Sequence, residues 1–268
     1  MSEITIFLLY LLASGALGAS RLPGNEARQR PLFLSACALI AAGVALHSRV
    51  LFAEIMAGGG FTLSLGGTVS MIGLELAIVS LIAVVEPPLR GMGAVLLLLA
   101  AVTSTLTMLT GTVPATDPLP PQARIHILIS LMSYGLLTVG AIVAVFALIQ
   151  ERQLRAGRLT TYSRLFAPLE TTEKLLFVIT AVGVAGLALA IVSGLGFVEN
   201  LFAQHLAHKT TFSLLALLVF AVLLAGRYFA GWRGARAVHT YIAGFLLLCL
   251  AYFGVRLILE VILGRSWS

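Results

Sequence analysis

Residues 205–245 read HLAHKTTFSLLALLVFAVLLAGRYFAGWRGARAVHTYIAGF, and this stretch decides the fold. Two histidines and a lysine, His205, His208 and Lys209, precede a long apolar run that ends at the basic turn of residues 231–236. A second apolar run follows the turn. A helix needs about 20 apolar residues to cross the hydrocarbon core of a bilayer. The stretch therefore predicts two membrane-spanning helices, with metal-ligating side chains at the start of the first and a basic turn at its end.

The composition of the whole chain agrees with this prediction. Hydrophobic residues make up 59% of the 268 residues and charged residues only 10%, whereas soluble domains contain roughly 25% charged residues. Mean hydropathy is +1.04. A backbone in lipid must satisfy its own hydrogen bonds, which leaves helices or closed barrels. Barrel strands alternate in hydropathy over about ten residues, but these apolar runs are continuous. We therefore expect an all-α integral membrane protein.

Eight apolar runs predict a bundle of eight transmembrane helices. The proline-rich residues 111–124 are predicted to be non-helical. The polar residues 150–174 are predicted to begin with a short interfacial helix or an extension of helix five. Small residues along the spans, as in SACALIAAG and AVGVAGLALA, favour close helix packing. The predicted spans lie at about residues 4–19, 32–47, 68–85, 93–109, 126–149, 175–194, 208–228 and 239–263.

The distribution of lysine and arginine predicts the orientation. Twelve of the 17 basic residues fall in one set of loops and five in the other, and cytoplasmic loops carry the excess. We therefore expect both termini on the outer, periplasmic side of a bacterial inner membrane. The net charge of +6 does not indicate nucleic-acid binding, because the basic residues lie between apolar runs. We expect one transmembrane domain over residues 1–268.

This orientation brings the histidines together. His47, at the predicted end of helix two, shares the outer level with His126, His205 and His208, whereas His239 lies at the inner face. Neutral imidazole is a ligand for iron, copper or zinc, and haem iron is commonly held by histidine. A single histidine at a helix end is ordinary. Their joint placement favours His126 and His208 as metal ligands, with no carboxylate or cysteine cluster to indicate a closed zinc site.

Glu75 lies well inside the predicted third span. A carboxyl group within a membrane is costly and is a candidate functional group by default. It is expected either to be protonated or to pair with Ser80 or Thr103. A coupling carboxylate in a secondary transporter is the functional alternative.

Near the outer end of helix eight, Arg256 and Glu260 are four residues apart. This spacing predicts either a local ion pair or a clamp in which Arg256 or Lys209 binds a carboxylate such as a haem propionate. Cys37 and Cys249 lie within apolar runs and are expected to be small buried hydrophobic residues.

Three segments resemble the CcsA/CcmC cytochrome c assembly family. HILISLMSYGLLTVGAIVAVFALI, residues 126–149, resembles the histidine-led helix of that family, and residues 208–245 resemble its helix–GWxG–helix segment. GGFTLSL, residues 59–65, is similar to its earlier outer loop. The resemblance implies haem handling at the outer face, with one histidine from each of two helices on the iron. The resemblance implies that here those would be His126 and His208, and that the cofactor would be a non-covalent b-type haem.

Two departures place the resemblance in the HemX/YpjD branch of the family. The segment before helix seven, GFVENLFAQHLAHK, lacks the tryptophans of the cytochrome-assembly members, and the end of the chain, EVILGRSWS, lacks their last histidine. That branch is linked to tetrapyrrole metabolism. The second axial ligand remains open between His208, His205 and His47.

The sequence therefore favours a haem-binding membrane protein that serves haem or cytochrome c biogenesis, or tetrapyrrole metabolism. We assign no catalytic residue and do not expect an enzyme. The expected partners are haem, the lipid bilayer and another membrane or tetrapyrrole-pathway protein. The alternatives are the transporter that uses Glu75 and a non-catalytic scaffold that binds a partner through residues 150–174.

Overall fold

The structure, a computed structural model, is helical throughout the residues it describes, which are 2–22, 24–56, 65–106, 120–157, 168–195 and 204–251. This part of the chain contains eight α-helices and no β-strand. Short 3-10 turns precede the second and fourth helices. The helices are α1 (Ser2–Ala19), α2 (Gln29–Met56), α3 (Leu65–Ala83), α4 (Arg90–Ser104), α5 (Pro121–Arg155), α6 (Leu169–Leu195), α7 (Gln204–Ala230) and α8 (Gly234–Cys249).

The expectation of an all-α, multi-pass membrane protein is confirmed. Within the described ranges, seven helices are long and apolar enough to cross a membrane, counting the short turn before α4 as part of that span. The eighth, Gly234–Cys249, has 16 residues. Its predicted continuation to residue 263 lies mostly outside the described residues. The placement of both termini on the outer side stays a prediction.

Helix α2 is longer than its hydropathy predicts. It runs on from His47 through SRVLFAEIM to Met56. Arginine, leucine, glutamate and methionine are strong helix formers, so a fall in hydropathy does not end the helix. The chain meets the glycine-rich residues 57–60 only after Met56. The prediction that His47 ends this helix is therefore wrong, because His47 lies nine residues before its last residue.

All six later helices begin before their predicted starts, as α5, α6 and α7 illustrate. Helix α5 starts at Pro121, so the prediction that residues 111–124 are non-helical is wrong for 121–124. Proline is tolerated at the first helical position because the N–H it lacks has no intrahelical partner there. The same helix continues to Arg155. Of the two alternatives for the start of residues 150–174, the structure therefore shows an extension of helix five and not a separate interfacial helix. Helix α6 starts at Leu169 and α7 at Gln204.

The contacts divide the chain into two units. The first contains Met1–Pro120 with Gln153–Thr172, and the second contains Pro121–Arg152 with Glu173–Ser268. The first unit therefore holds α1–α4, and the second holds α7 and α8 with most of α5 and α6. A single transmembrane domain over residues 1–268 stays a prediction.

In the first unit, small residues and hydroxyl groups join the helices. Helix α1 packs against α2 and α4, and α3 packs against α4. The Tyr10 ring occupies the space that a side chain at Gly43 would need, with Cε1 2.6 Å from an ideal Cβ position. Ser14 donates to the Ala94 carbonyl at 2.7 Å, and Ser80 donates to the Gly93 carbonyl at 2.9 Å. Such close contacts are typical of helix packing in lipid.

The second unit uses the same kind of contact between α5 and α6. An ideal Cβ at Gly183 would lie 2.8 Å from both Cγ and Cδ2 of Leu137. Ser133 donates to the Gly183 carbonyl at 2.7 Å, and its Cβ packs against Gly186. These glycines belong to the AVGVAGLALA run, so its predicted role in close helix packing is confirmed.

Replacing Gly183 with leucine should therefore weaken the second unit. The new side chain overlaps Leu137, and overpacking of this kind costs about 1–3 kcal/mol. Thermal unfolding of the detergent-purified protein measures the loss as a lower Tm. Gly15→Leu is the matched control, because Gly15 is exposed on α1 and has nothing within 4 Å of an added Cβ. Equal Tm values for the two variants would contradict the packing described.

Candidate functional site

In the second unit, α5 and α7 run in the same direction. The Tyr134 hydroxyl of α5 lies 3.3 Å from Ser213 Oγ of α7. Farther along both helices, Tyr241 of α8 donates to the Leu137 carbonyl at 2.7 Å and packs edge-on against Phe220, with ring centroids 5.1 Å apart. Residue numbers thus rise together along α5 and α7, and the start of α5 is level with the start of α7.

This register places His126 beside the histidine-bearing end of α7. His126 is eight residues before Tyr134, and His205 is eight residues before Ser213. Eight residues correspond to about 12 Å along each helix. His208 lies on the next turn of α7 after His205, since residues three apart share a helix face. Within this unit, the backbones of His126, His205 and His208 therefore lie at a similar level along the helices. Their placement at the outer face, together with His47, stays a prediction.

His126 is half-buried, and α6 holds its ring. Its Nδ1 lies 3.0 Å from Ser193 Oγ, and the Ser193 hydroxyl lies 2.9 Å from the Ala190 carbonyl oxygen. The ring also rests against Gly194, where an ideal Cβ would lie 3.1 Å from His126 Cε1. The Nδ1 atom of the His126 imidazole is thus hydrogen-bonded to the neighbouring helix α6.

Lys209 is the sixth residue of α7. It is exposed on α7, and it is close enough for its positive charge to act on the His126 imidazole. His205 and His208 are the second and fifth residues of α7, although their side chains lie outside the described residues. Arg256, the other predicted clamp for a carboxylate, also lies outside them. His126 and Lys209 are therefore the predicted site residues whose side chains the structure brings together.

His47 belongs to the first unit, whereas His126 belongs to the second. His47 is 1% exposed, and both of its ring nitrogens are bonded. The Tyr10 hydroxyl of α1 lies 3.2 Å from its Nδ1, and Ser70 Oγ of α3 lies 2.8 Å from its Nε2. Coordination of a metal would require one of these bonds to break. His47 links three helices, and this role disfavours it as the second axial ligand.

Glu75 is buried in α3, with 9% of its surface exposed. Within the part of the chain that the structure describes, neither carboxyl oxygen has a hydrogen-bond partner. The predicted pairing with Ser80 or Thr103 is wrong. Ser80 donates to the Gly93 carbonyl, and Thr103 donates to the carbonyl of Leu99 at 2.9 Å. An unpartnered carboxyl group at this depth is costly, so Glu75 keeps its place as a candidate functional group.

The basic turn at the other end of the second unit is tightly built. Gly231 and Gly234 adopt φ values of +63° and +59°, which disfavour other residues. The Gly234 N–H donates to Glu173 Oε1 at 2.7 Å. The Trp232 ring fills the space above Gly226, and Arg236 stacks on it at 4.1 Å. Trp232 thus packs the turn between α7 and α8.

Five residues that the sequence did not single out prove important here. Four of them hold a histidine, namely Ser193, Gly194, Tyr10 and Ser70, and Glu173 holds the start of α8. A serine–glycine pair near the predicted end of helix six was a possible signal for the first two. Tyr10 and Glu173 carry no such signal, because their partners are distant in sequence.

Replacing Tyr10 with phenylalanine should lower the stability of the first unit. The change removes a hydroxyl group and leaves the buried Nδ1 of His47 without that partner, at a cost of about 1–3 kcal/mol. The free energy of unfolding, followed in a mild detergent, measures the effect. Tyr228→Phe is the control, since Tyr228 is 81% exposed at the end of α7. If both variants unfold at the wild-type midpoint, the His47 hydrogen-bond chain does not stabilise the unit.

Comparison with curated proteins finds relatives over about half of the chain. The inner membrane protein YpjD of Escherichia coli K12 is 37% identical over 142 residues, which are 53% of this chain and 54% of the relative. A 28.8 kDa protein of Azospirillum brasilense is 31% identical over 142 residues, 52% of each chain. The cytochrome c biogenesis protein CcsA of Chlamydomonas reinhardtii is 27% identical over 151 residues, 54% of this chain and 42% of the relative. The chain spans about half the length of the curated relatives it matches.

A comparison with family models covers far more of the chain. No solved structure matches significantly. The model of the cytochrome C assembly protein family, in contrast, matches residues 5–263. That range includes α1 from its fourth residue to α8 and every candidate site residue described above. The chain therefore belongs to the cytochrome C assembly protein family.

Proposed function

We propose that this chain is a haem-binding membrane protein in which His126 ligates the iron and a histidine at the start of α7 supplies the second ligand. The supporting observation is the register of α5 and α7, which sets His126 level with His205 and His208. Of these two, the family resemblance favours His208. Haem involvement agrees with membership of the cytochrome C assembly family.

The residues at this end of the second unit fit haem. A half-buried imidazole offers a ligand of the type that commonly holds haem iron. Lys209 supplies a positive charge nearby that suits a propionate, and Arg256 is proposed as a second such group. Covalent attachment of a c-type haem uses a C-x-x-C-H motif, and the two cysteines, Cys37 and Cys249, are far apart in sequence. The haem is therefore proposed to be b-type and bound without covalent bonds.

The proposed location is the inner membrane, with the haem site at its outer face. The E. coli relative is named an inner membrane protein, and several apolar helices long enough to span a membrane agree with that name. The site is assigned to the outer face because the excess of basic residues lies in the loops at the other end of the helices, and such an excess marks the cytoplasmic side. Relatives named cytochrome c biogenesis proteins support a role in haem or cytochrome c biogenesis. Haem at the outer face would be bound by these histidines. No catalytic residue is assigned.

His126→Ala should abolish most haem binding. The purified wild-type protein is expected to show a Soret band, either as isolated or after addition of haemin, and the variant should lose most of it because an iron ligand is missing. His239→Ala is the matched control, since His239 is exposed on α8 at the opposite end of the second unit. The Soret bands of His205→Ala and His208→Ala are then compared. The variant with the weaker band identifies the second ligand. Wild-type protein that stays colourless and takes up no haemin would reject the proposal.

The unpartnered carboxyl group of Glu75 favours one alternative, a proton-coupled secondary transporter. In that case Glu75→Gln should abolish proton flux into vesicles that contain the purified protein and a pH-sensitive dye. Glu170→Gln is the control, because Glu170 is exposed in the first turn of α6. Flux that depends on Glu75 in protein that binds no haem would favour transport. Wild-type vesicles with no flux above the lipid background would reject it.

A further inference from the structure

We propose that Ser193 and Gly194 of α6 are positioning residues for His126: Ser193 fixes the tautomer of the imidazole, and Gly194 fixes the place of its ring. The consequence for haem rests on the function proposed above. The tautomer and the ring position depend only on this chain and are testable without haem. Neither residue has to touch the cofactor.

The tautomer follows from the hydrogen-bond chain. The Ser193 hydroxyl has a single hydrogen, and its Oγ lies near two groups, His126 Nδ1 at 3.0 Å and the Ala190 carbonyl oxygen at 2.9 Å. A carbonyl oxygen can only accept, so both contacts can be hydrogen bonds only when the hydroxyl donates its hydrogen to Ala190. Ser193 Oγ must then accept from His126, which requires a hydrogen on Nδ1. In this tautomer the lone pair of the neutral imidazole lies on Nε2.

This arrangement is the one that metal-ligating histidines use. Such a histidine typically donates its other ring N–H to a carboxylate, a carbonyl or a water, and the bond sets the ring orientation and raises the basicity of the ligand nitrogen. Ser193 takes that accepting role for His126. The Ala190 carbonyl orients Ser193 in turn, so residues within one turn of α6 prepare Nε2 for coordination.

Gly194 provides the space for the ring. An ideal Cβ at this position would lie 3.1 Å from Cε1, 3.6 Å from Nδ1 and 3.9 Å from Nε2 of His126. The first distance is tighter than most real contacts, so an alanine must push the ring away by a few tenths of an ångström. The positive φ that glycine permits elsewhere is not involved, because Gly194 lies within α6. Its role is the close approach of the α6 backbone to the imidazole.

The first experiment measures the tautomer in haem-free protein. Histidine labelled with nitrogen-15 distinguishes protonated Nδ1 from protonated Nε2 by NMR, and a His126→Ala sample assigns the signal. We expect protonated Nδ1 in the wild type and a shift toward protonated Nε2 in Ser193→Ala. Ser193→Thr keeps the hydroxyl group and should keep the wild-type signal. An unchanged tautomer in Ser193→Ala would overturn the assignment, whether or not the protein binds haem.

The second experiment titrates the same variants with haemin. Loss of an outer hydrogen bond typically lowers metal affinity 10–100-fold, so Ser193→Ala should bind haemin about tenfold or more weakly and Ser193→Thr should bind it as the wild type does. Gly194→Ala should also bind more weakly, with the Nδ1 tautomer retained. Ser133→Ala is the matched control, since it removes another hydroxyl bond between α5 and α6 that does not reach His126.

The outcomes separate the two proposals. A wild-type protein that takes up no haemin, with Nδ1 protonated only when Ser193 is present, would reject haem binding and keep the positioning role. Haemin bound equally well by the wild type and Ser193→Ala would reject the positioning role for haem and keep His126 as a ligand. A loss of affinity in Ser133→Ala as large as that in Ser193→Ala would show a general effect of α5–α6 packing and would overturn the inference.

Discussion

The lack of water in the bilayer interior is the constraint on which the rest of this structure depends. Each buried polar group must find its partner within the protein, because an unsatisfied group in hydrocarbon is costly. Apart from groups such as the Glu75 carboxyl, the chain meets this constraint with hydroxyl groups that donate to carbonyls of neighbouring helices, as Ser14, Ser80 and Ser133 do. Glycines at the same contacts let the helix backbones approach. The same devices that hold the helices together also position the histidines.

The two buried or half-buried histidines with described side chains illustrate two outcomes of this constraint. His47 is bonded at both ring nitrogens and joins three helices, so its chemistry is used by the fold. His126 lies half-buried in the second turn of α5, and its Nδ1 is bonded to Ser193. A half-buried histidine near the start of a helix, oriented by a neighbouring hydroxyl, suits ligand binding better than one that is enclosed in the middle of a helix. The difference in function between them is therefore a difference in depth and in bonding partners.

Hydropathy was enough to predict the all-α membrane class of the fold and the order of its helices, because the bilayer imposes a length on every helix. It did not predict where helices end. His47 lies inside α2, and Pro121 begins α5, because helix ends depend on glycine, proline and local hydrogen bonds and only weakly on hydropathy. The level shared by His126 and the start of α7 was predictable from topology. The bonds to Ser193 and Tyr10 were not, since they depend on which helix faces pack together. The prediction that Ser80 or Thr103 pairs with Glu75 was wrong for a related reason, because serine and threonine in helices often donate to backbone carbonyls.

The central claim is that His126 is an axial ligand to haem iron, with a second histidine from α7. Electron paramagnetic resonance of the oxidised, haemin-loaded protein tests it most directly, because two imidazole ligands give a low-spin ferric signal that differs from the high-spin signal of iron with one. The account predicts the low-spin signal for the wild type and for His239→Ala, and a change to a high-spin signal or loss of the haem in His126→Ala. A low-spin signal that persists unchanged in His126→Ala would contradict it.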